Sequence, residues 1–334
     1  MRMKRFIVVF AVAASVAVLG ASGPLQAAQT PAKCDRQCLV NLMQQYLKAL
    51  VKHDPKAVPF ASKVRFMEST AEIPVGEGLW ITASGEPGPF QIYAADPVAQ
   101  QVACLVMMKE LNKDILLGAR LKLVDGKITE AEHLVIREDL SKQIASGHLK
   151  APRPALLADL AAADRTPRDQ MLKAGAAYYV ALTGGDGKLA PFAGDCERRE
   201  NGMTTAGIRE KQDPMPITAT DPETKKMLEI MGKMPRGCEA QISTGAFTYI
   251  TDIKNRRVLI ADEQKGLVVG FSMFWHRSDV KTVKVKGVPG VDTMPSYQGT
   301  FNLPAMHIFK IKKGKIYEIE AIGFTLPYGT RGWE

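Results

Sequence analysis

The stretch "QQYLKALVKHDPKAVPFASKVRFME" at 44–68 has a second version, "AAYYVALTGGDGKLAPFAGDCERRE", at 176–200. Aligned without a gap, nine of the 25 positions agree: Tyr46/Tyr178, Ala49/Ala181, Leu50/Leu182, Asp54/Asp186, Lys56/Lys188, Pro59/Pro191, Phe60/Phe192, Ala61/Ala193 and Glu68/Glu200. Unrelated segments of ordinary composition would share roughly one or two. The offset is 132 residues. Further on, "YAADPVAQQVACLVMM" (93–108) aligns with "LIADEQKGLVVGFSMF" (259–274) at an offset of 166, and "LKLVDGKITEAE" (121–132) with "FKIKKGKIYEIE" (309–320) at 188. By difference, the second copy carries 34 extra residues in its middle and 22 more before its last hairpin. A fixed self-similarity of this kind decides the architecture before any local feature does. The chain is a duplication in which one copy has grown.

Each copy opens with an amphipathic helix. Leu39, Leu42, Met43, Tyr46, Leu47, Leu50 and Val51 recur at helical spacing in the first. In the second, Thr166 and Pro167 mark the start, and Met171, Tyr178, Tyr179 and Leu182 share a face. A turn ("KHDPK", "TGGDGK") and a strand ending in Glu68 or Glu200 follow, then long strands of period 2 joined by "VDGK" or "KKGK" turns. Helix, strand, then an antiparallel sheet is an α+β plan. The domains are expected at 29–145 and 166–334, with a linker at 146–165 that contains a short helix and an insertion near 206–247 in the second copy.

The first residues read as a leader rather than as part of the fold. Arg2, Lys4 and Arg5 precede the apolar run "FIVVFAVAASVAVLG" and small residues near Ala27 and Ala28, the pattern of a secretory signal peptide over 1–28. The run is shorter than the roughly 20 residues a bilayer span needs, so no membrane anchor is expected, and the location is periplasmic or secreted. Removing the three basic residues lowers the formal charge from +9 to +6. "KTVKVKG" and "KIKKGKI" alternate lysine with apolar residues, as solvent faces of strands do, and no nucleic-acid partner is expected. In an oxidising compartment cysteines pair. Cys34 and Cys38 lie about 6 Å apart along a helix, and Cys196 and Cys238 form the natural second pair, leaving Cys104 as a buried thiol.

Helix, bent sheet and pocket together resemble the SnoaL-like, or nuclear transport factor 2-like, cone. The opening helix with its "HDP" turn, the "RFMES…VGEGLW" stretch and "FKIKKGKIYEIEAI" carry the resemblance, and the ending "LPYGTRGW" is similar to that of exported tandem SnoaL-like proteins of bacteria and fungi. The resemblance implies two tandem cones, the second with a long insertion, packed through their sheets as an intramolecular pseudo-dimer. It also implies chemistry without a cofactor: a carboxylate or histidine in an apolar pocket, whose altered pKa lets it move protons next to a carbonyl.

Several residues could do that work. Glu200 and Glu68 are the repeated carboxylates, with Arg65, Arg198 and Arg199 near enough to pair with them in a purely structural role. His307 stands on the face that lines the second cone, where the first copy has Ala119, and His276 follows "SMFW" near the mouth. Tyr178, Tyr179, Tyr249 and Trp275 are the candidate substrate contacts. His53 suits a helix end, His133 reads as a strand edge and His148 as linker. Asp54, Asp186, Asp96 and Asp262 read as turn residues bonding their own backbone. No G-x-S-x-G elbow, P-loop, dinucleotide fingerprint, CxxC or HExxH occurs, and neither a metal nor a cofactor is expected. These readings favour an exported, cofactor-independent lyase or isomerase, of dehydratase or proton-transfer type, acting on a small hydrophobic or aromatic molecule in the second cone. The alternative is a non-catalytic exported binding or assembly protein. A pocket with convergent Glu, His and Tyr favours the first, an all-apolar pocket a carrier, and a plugged cone a structural role.

Overall fold

The structure, a computed structural model, describes residues 33–214 and 221–332, and the expected leader lies outside them. The first helix, α1 (Arg36–Val51), starts where the Asp35 carboxylate accepts a hydrogen bond from the Cys38 N–H at 2.8 Å, a cap worth about 1 kcal/mol. The Cys34–Cys38 disulfide spans that cap. The helix buries Leu39, Met43, Tyr46, Leu47 and Leu50. The chain leaves it through His53 in the left-handed region (φ 56), where the second copy has Gly185 (φ 60). Rather than serving the helix dipole, the His53 ring donates from Nδ1 to the Trp80 carbonyl at 2.7 Å.

Strands β1 (Phe60–Glu68) and β2 (Ala71–Glu72) follow, then the one-turn α2 (Leu79–Thr82), β3 (Ala83–Gly85), β4 (Gln91–Asp96), β5 (Gln101–Glu110), β6 (Lys113–Val124) and β7 (Lys127–Ile136). Two short helices, α3 (Ser141–Ala145) and α4 (Pro154–Leu157), cross to the second opening helix, α5 (Arg168–Gly184). Then come β8 (Phe192–Glu200), β9 (Met203–Ala206), α6 (Pro222–Met231), α7 (Cys238–Ser243), β10 (Asp252–Asp262) and β11 (Leu267–His276). A small hairpin, β12 (Thr282–Lys284) and β13 (Thr293–Pro295), precedes β14 (Phe301–Lys312), β15 (Lys315–Gly323) and β16 (Leu326–Pro327).

The first sheet has the order β2-β1-β7-β6-β5-β3, with β4 also on β5, and the second β9-β8-β15-β14-β11-β10, with β16 on β14. In each, the strand that follows the opening helix runs parallel to the last strand of the long hairpin (β1 with β7, β8 with β15), and the other neighbours are antiparallel. The result is an α+β architecture of curled, mainly antiparallel sheets with few helices, consistent with SnoaL-like cones. Each helix packs on the concave face of its own sheet.

The convex faces pack on each other. Phe90, Ile92, Leu105 and Leu134 from the first sheet share one cluster with Val269, Phe271, Met306 and Ile308 from the second. Gly118 allows a close approach, because a Cβ there would stand 2.5 Å from the Met306 sulfur. This contact is reciprocal. Arg36 at the start of α1 pairs with Asp262 at the end of β10 (2.9 Å), and Arg168 at the start of α5 pairs with Asp96 at the end of β4 (2.9 Å). The Asp262 carboxylate also accepts the Ala95 N–H at 3.1 Å, and Asp96 accepts the Ala261 N–H at 3.0 Å. Both aspartates were expected to bond only their own turns. They do so with Oδ1, to Val98 and Ala99 or to Lys265, and they also reach the other half, Asp96 through Oδ2 and Asp262 through both oxygens. A bidentate pair between Arg257 of β10 and Glu132 of β7 adds to the join (2.8 and 2.9 Å).

One expectation about the lysines is corrected. Lys310 of "KIKKGKI" is buried, not on a solvent face, and donates to the Ala158 and Lys265 carbonyls at 2.8 and 2.6 Å. Among the described residues no helix is long and apolar enough to cross a membrane. The Cys196–Cys238 disulfide closes and Cys104 is free and buried.

Removing a charge from a buried pair strands its partner. Asp96→Asn and Asp262→Asn are each expected to cost about 3 kcal/mol, read as a shift of the urea midpoint at unchanged slope. Asp54→Asn, which touches only a local turn, should cost about 1 kcal/mol or less.

Candidate functional site

Strand alternation sends Cys196, Arg198 and Glu200 of β8 to the concave face of the second sheet, and Glu197 and Arg199 to the other. On β14 the same rule turns Phe301, Leu303, Ala305, His307 and Phe309 inward. Between these strands lies a cavity of about 360 Å³, within the range of small-molecule sites. Its lining is mostly aromatic and aliphatic: Leu182, Phe247, Ile250, Phe274, Phe301 and Leu303. Its polar groups include Glu138, Tyr178, Arg198, Glu200, Tyr249, His276 and His307, beside several amides and hydroxyls.

Arg198 is 3% exposed, and a guanidinium so buried must be compensated. Its Nε donates to Thr205 Oγ1 at 3.0 Å, and one terminal nitrogen donates to Gln241 Oε1 at 2.7 Å. Glu200 Oε1 lies 3.0 Å from Nε, and the Phe247 ring lies 5.5 Å below the charge. Of the arginines expected to pair with the repeated glutamates, Arg198 does so with Glu200. Arg65 pairs with Glu72, and Arg199 with Glu210.

His307 stacks on Phe309 and shares a hydrogen bond with the Tyr179 hydroxyl through Nδ1 at 3.2 Å. Gly270 leaves room for that hydroxyl, since a Cβ there would stand 2.8 Å from it. Burial, assisted by the Arg198 charge, drives the His307 imidazole down to about 3. It is therefore neutral at ordinary pH. Burial pushes the Tyr178 phenol up to about 12, with Arg198 opposing, and the Tyr249 phenol to about 12, with Glu200 adding to the rise. The Tyr179 phenol is raised by burial as well. Tyr179 thus sits behind His307 and off the cavity wall, whereas Tyr178, Tyr249 and Trp275 line it.

His276 is at the other end. Gly270 opposes His307 across β11 and β14, and Phe301 opposes His276, so the two imidazoles are separated by about 20 Å of strand. The His276 ring stacks on Phe301 at 4.6 Å, and its Nδ1 donates to the Gly299 carbonyl at 2.6 Å. Burial lowers its pKa. Trp275 stands at the rim under Lys254, 4.1 Å from the ammonium.

The insertion and the hairpin β12–β13 form one module. Met227, Ile230 and Met234 of the insertion pack on Val283, Val285, Val288 and Met294. Together they roof the cavity with Gln212, Met231, Gln241, Phe247 and Tyr297.

The first half is built differently. Trp80 of α2 is inserted against Tyr46 and Phe60, its ring 5.2 Å from that of Tyr46. His133 was expected at a strand edge. It is instead fully buried, with Nε2 2.9 Å from the Tyr46 hydroxyl and Nδ1 3.4 Å from Glu68. Ala119 opposes His133 across the first hairpin, and His307 opposes Ala321 across the second. Each half therefore has one histidine at this level, on opposite members of the equivalent pair. Glu68 also accepts the Leu79 N–H (2.9 Å) and Arg137 (3.0 Å). Burial acts to raise its carboxyl, but His133 and these donors hold it at about 2.

Sequence reasoning missed Thr205, Gln241 and Tyr297, and treated Arg198 only as a partner for glutamate. A signal for Arg198 was present: the gapless repeat sets it against Phe66, a core residue of the first half.

Residues 164–323 match a family described as a domain of unknown function (DUF8021). No curated protein matches the chain. Among solved structures, a protein provisionally described as a polyketide cyclase from Xanthomonas campestris pv. campestris is similar at 16% identity, covering 46% of this chain and 90% of its own, with a TM-score of 0.26. A second of the same description, from Silicibacter sp., is similar at 12% identity, covering 48% of this chain and 92% of its own, with a TM-score of 0.25.

A depressed histidine pKa fixes the sign of a pH effect. The unfolded chain takes a proton near 6.5, whereas folded His307 resists it until about 3. This contribution therefore lowers stability as pH falls from 6.5 toward 3. Nitrogen-15 spectra should show His307 neutral throughout pH 5–8, and His307→Phe should flatten the acid limb of the stability profile. A His307 that titrates near 6.5 would contradict the geometry.

Proposed function

We propose that the protein is an exported, cofactor-independent isomerase or lyase of proton-transfer type, and that the second half's cavity is its active site. In this reading the two halves are tandem SnoaL-like cones, joined back to back as an intramolecular pseudo-dimer, and the first is scaffold. The observation that carries it is the convergence of the Arg198–Glu200 pair, the Tyr178 hydroxyl and His307 in a cavity whose wall is mostly aromatic and aliphatic. A carrier needs no such set, whereas the filled first cone, with Trp80 inside it, fits a structural role.

The roles follow from the protonation states. His307, held neutral, is a poor proton carrier, so Glu200 is the base. Its carboxylate takes a proton from the carbon next to a substrate carbonyl, and the bonding pair moves onto the carbonyl oxygen as an enolate. Arg198 and the Tyr178 hydroxyl stabilise that oxygen. With the Tyr179 phenol donating to Nδ1, the His307 Nε2–H points its own hydrogen bond at the same charge. Protonated Glu200 then returns the proton to a different carbon, or the enolate expels a leaving group. The substrate is a small, neutral, largely aromatic carbonyl compound that stacks between Phe274, Phe301 and Tyr249. The disulfides and the expected leader support a location outside the cytoplasm.

Exchange of the methyl protons of 2-acetonaphthone into D2O, followed by NMR, tests this without knowledge of the natural product. Wild-type protein should accelerate the exchange over buffer, and Glu200→Gln should reduce that acceleration by roughly 10²–10⁴. Glu68→Gln should keep the rate and lose stability. No acceleration with either 2-acetonaphthone or 1-tetralone, or equal losses in the two glutamine variants, would refute the assignment.

A further inference from the structure

Arg198 occupies a position that the first half fills with Phe66, and its placement there depends on two residues brought in by the insertion. Cys196 precedes it by two residues on the same face of β8, and Cys238 begins α7. The Cys196–Cys238 bridge, with its Cα atoms 5.8 Å apart, therefore clamps the start of α7 onto the strand that carries the arginine. Gln241 lies three residues along α7, on the helix face of Cys238. It is 2% exposed and uses both ends of its amide: Oε1 accepts from Arg198 at 2.7 Å, and Nε2 donates to the Thr205 carbonyl at 2.9 Å. Thr205 Oγ1 in turn accepts from Arg198 Nε at 3.0 Å. Arg198, Gln241 and Thr205 form a closed, buried ring, completed through the Thr205 backbone carbonyl, with the disulfide at its edge.

We infer that Gln241, and the Cys196–Cys238 bridge that holds its helix, are the positioning elements for Arg198, fixing its guanidinium so that the remaining donors face the cavity. A buried arginine has no water to hold it in place, and a half-satisfied ring in this setting is costly. Without the bridge α7 is tied to β8 only by the Gln241 amide and the packing around Ile242. The arginine then follows the helix, or keeps only Thr205 and Glu200, the latter nearly half exposed at the side chain. This inference rests on the reading that the cavity is the working site, but its first readout needs no ligand.

The Nε–H resonance of Arg198, identified by its absence in Arg198→Lys, reports the ring directly in the full-length oxidised protein. It should be sharp and protected from exchange in wild type and in Cys34→Ala/Cys38→Ala. It should broaden or vanish in Cys196→Ala/Cys238→Ala and in Gln241→Ala, in samples whose far-ultraviolet dichroism is native. Gln241→Glu, which keeps an acceptor for the guanidinium, should restore it. Affinity for 2-acetonaphthone should fall about tenfold or more in Gln241→Ala and recover in Gln241→Glu. An Arg198 signal unchanged without the disulfide and without the Gln241 amide would overturn the inference. Lost protection in the absence of any wild-type affinity would uphold the positioning role and overturn the active-site reading instead.

Discussion

The structure depends on a pair of exchanged salt bridges. Arg36 and Arg168 stand at equivalent places in the repeat, as do Asp96 and Asp262, and each arginine reaches the other half's aspartate. The aspartates lie within a backbone hydrogen bond of one another's strands, through Ala95 and Ala261. The start of each opening helix is thus held by the end of a strand in the other half. A curled sheet can cover its concave face with its own helix, but its convex face stays apolar and needs a partner. The reciprocal clamp sets the register at which the two convex faces meet, and Gly118 permits the approach.

With both convex faces covered, each concave face is free to take its own course. In the first half a short turn carries Trp80 into the cone, and the polar trio Tyr46, His133 and Glu68 is satisfied internally. In the second half no residue plays the part of Trp80. The extra 34 and 22 residues, which look unrelated in the sequence, pack on one another through Met227, Ile230, Val283 and Met294 and roof the space rather than fill it. The replacement of a core phenylalanine by Arg198 belongs to the same change. A buried guanidinium is stable only where its partners are fixed, and Thr205 and Gln241 meet that condition.

Much of this was legible in the sequence. The gapless 25-residue match located both opening helices and the strands that end in Glu68 and Glu200. Period-2 alternation placed His307 on the concave face. What escaped depended on contacts between distant segments. Asp96 and Asp262 carry ordinary turn patterns, and nothing local shows that their carboxylates also reach the other half. His133 lies one strand away from the position equivalent to His307, so a search for an aligned histidine found only Ala119. The companionship of Gln241 and Arg198 could have been drawn from the expected Cys196–Cys238 pair, which sets α7 beside β8.

The central claim is that one half is open for chemistry and the other is filled. The most direct measurement is a crystal structure of the protein soaked with 2-acetonaphthone. The account expects one ligand, in the second half, its ring among Phe274, Phe301 and Tyr249 and its carbonyl oxygen within hydrogen-bonding distance of Arg198 or His307, with Trp80 unmoved in the first. A ligand seated in the first half in place of Trp80, or a second cavity holding water alone, would contradict it.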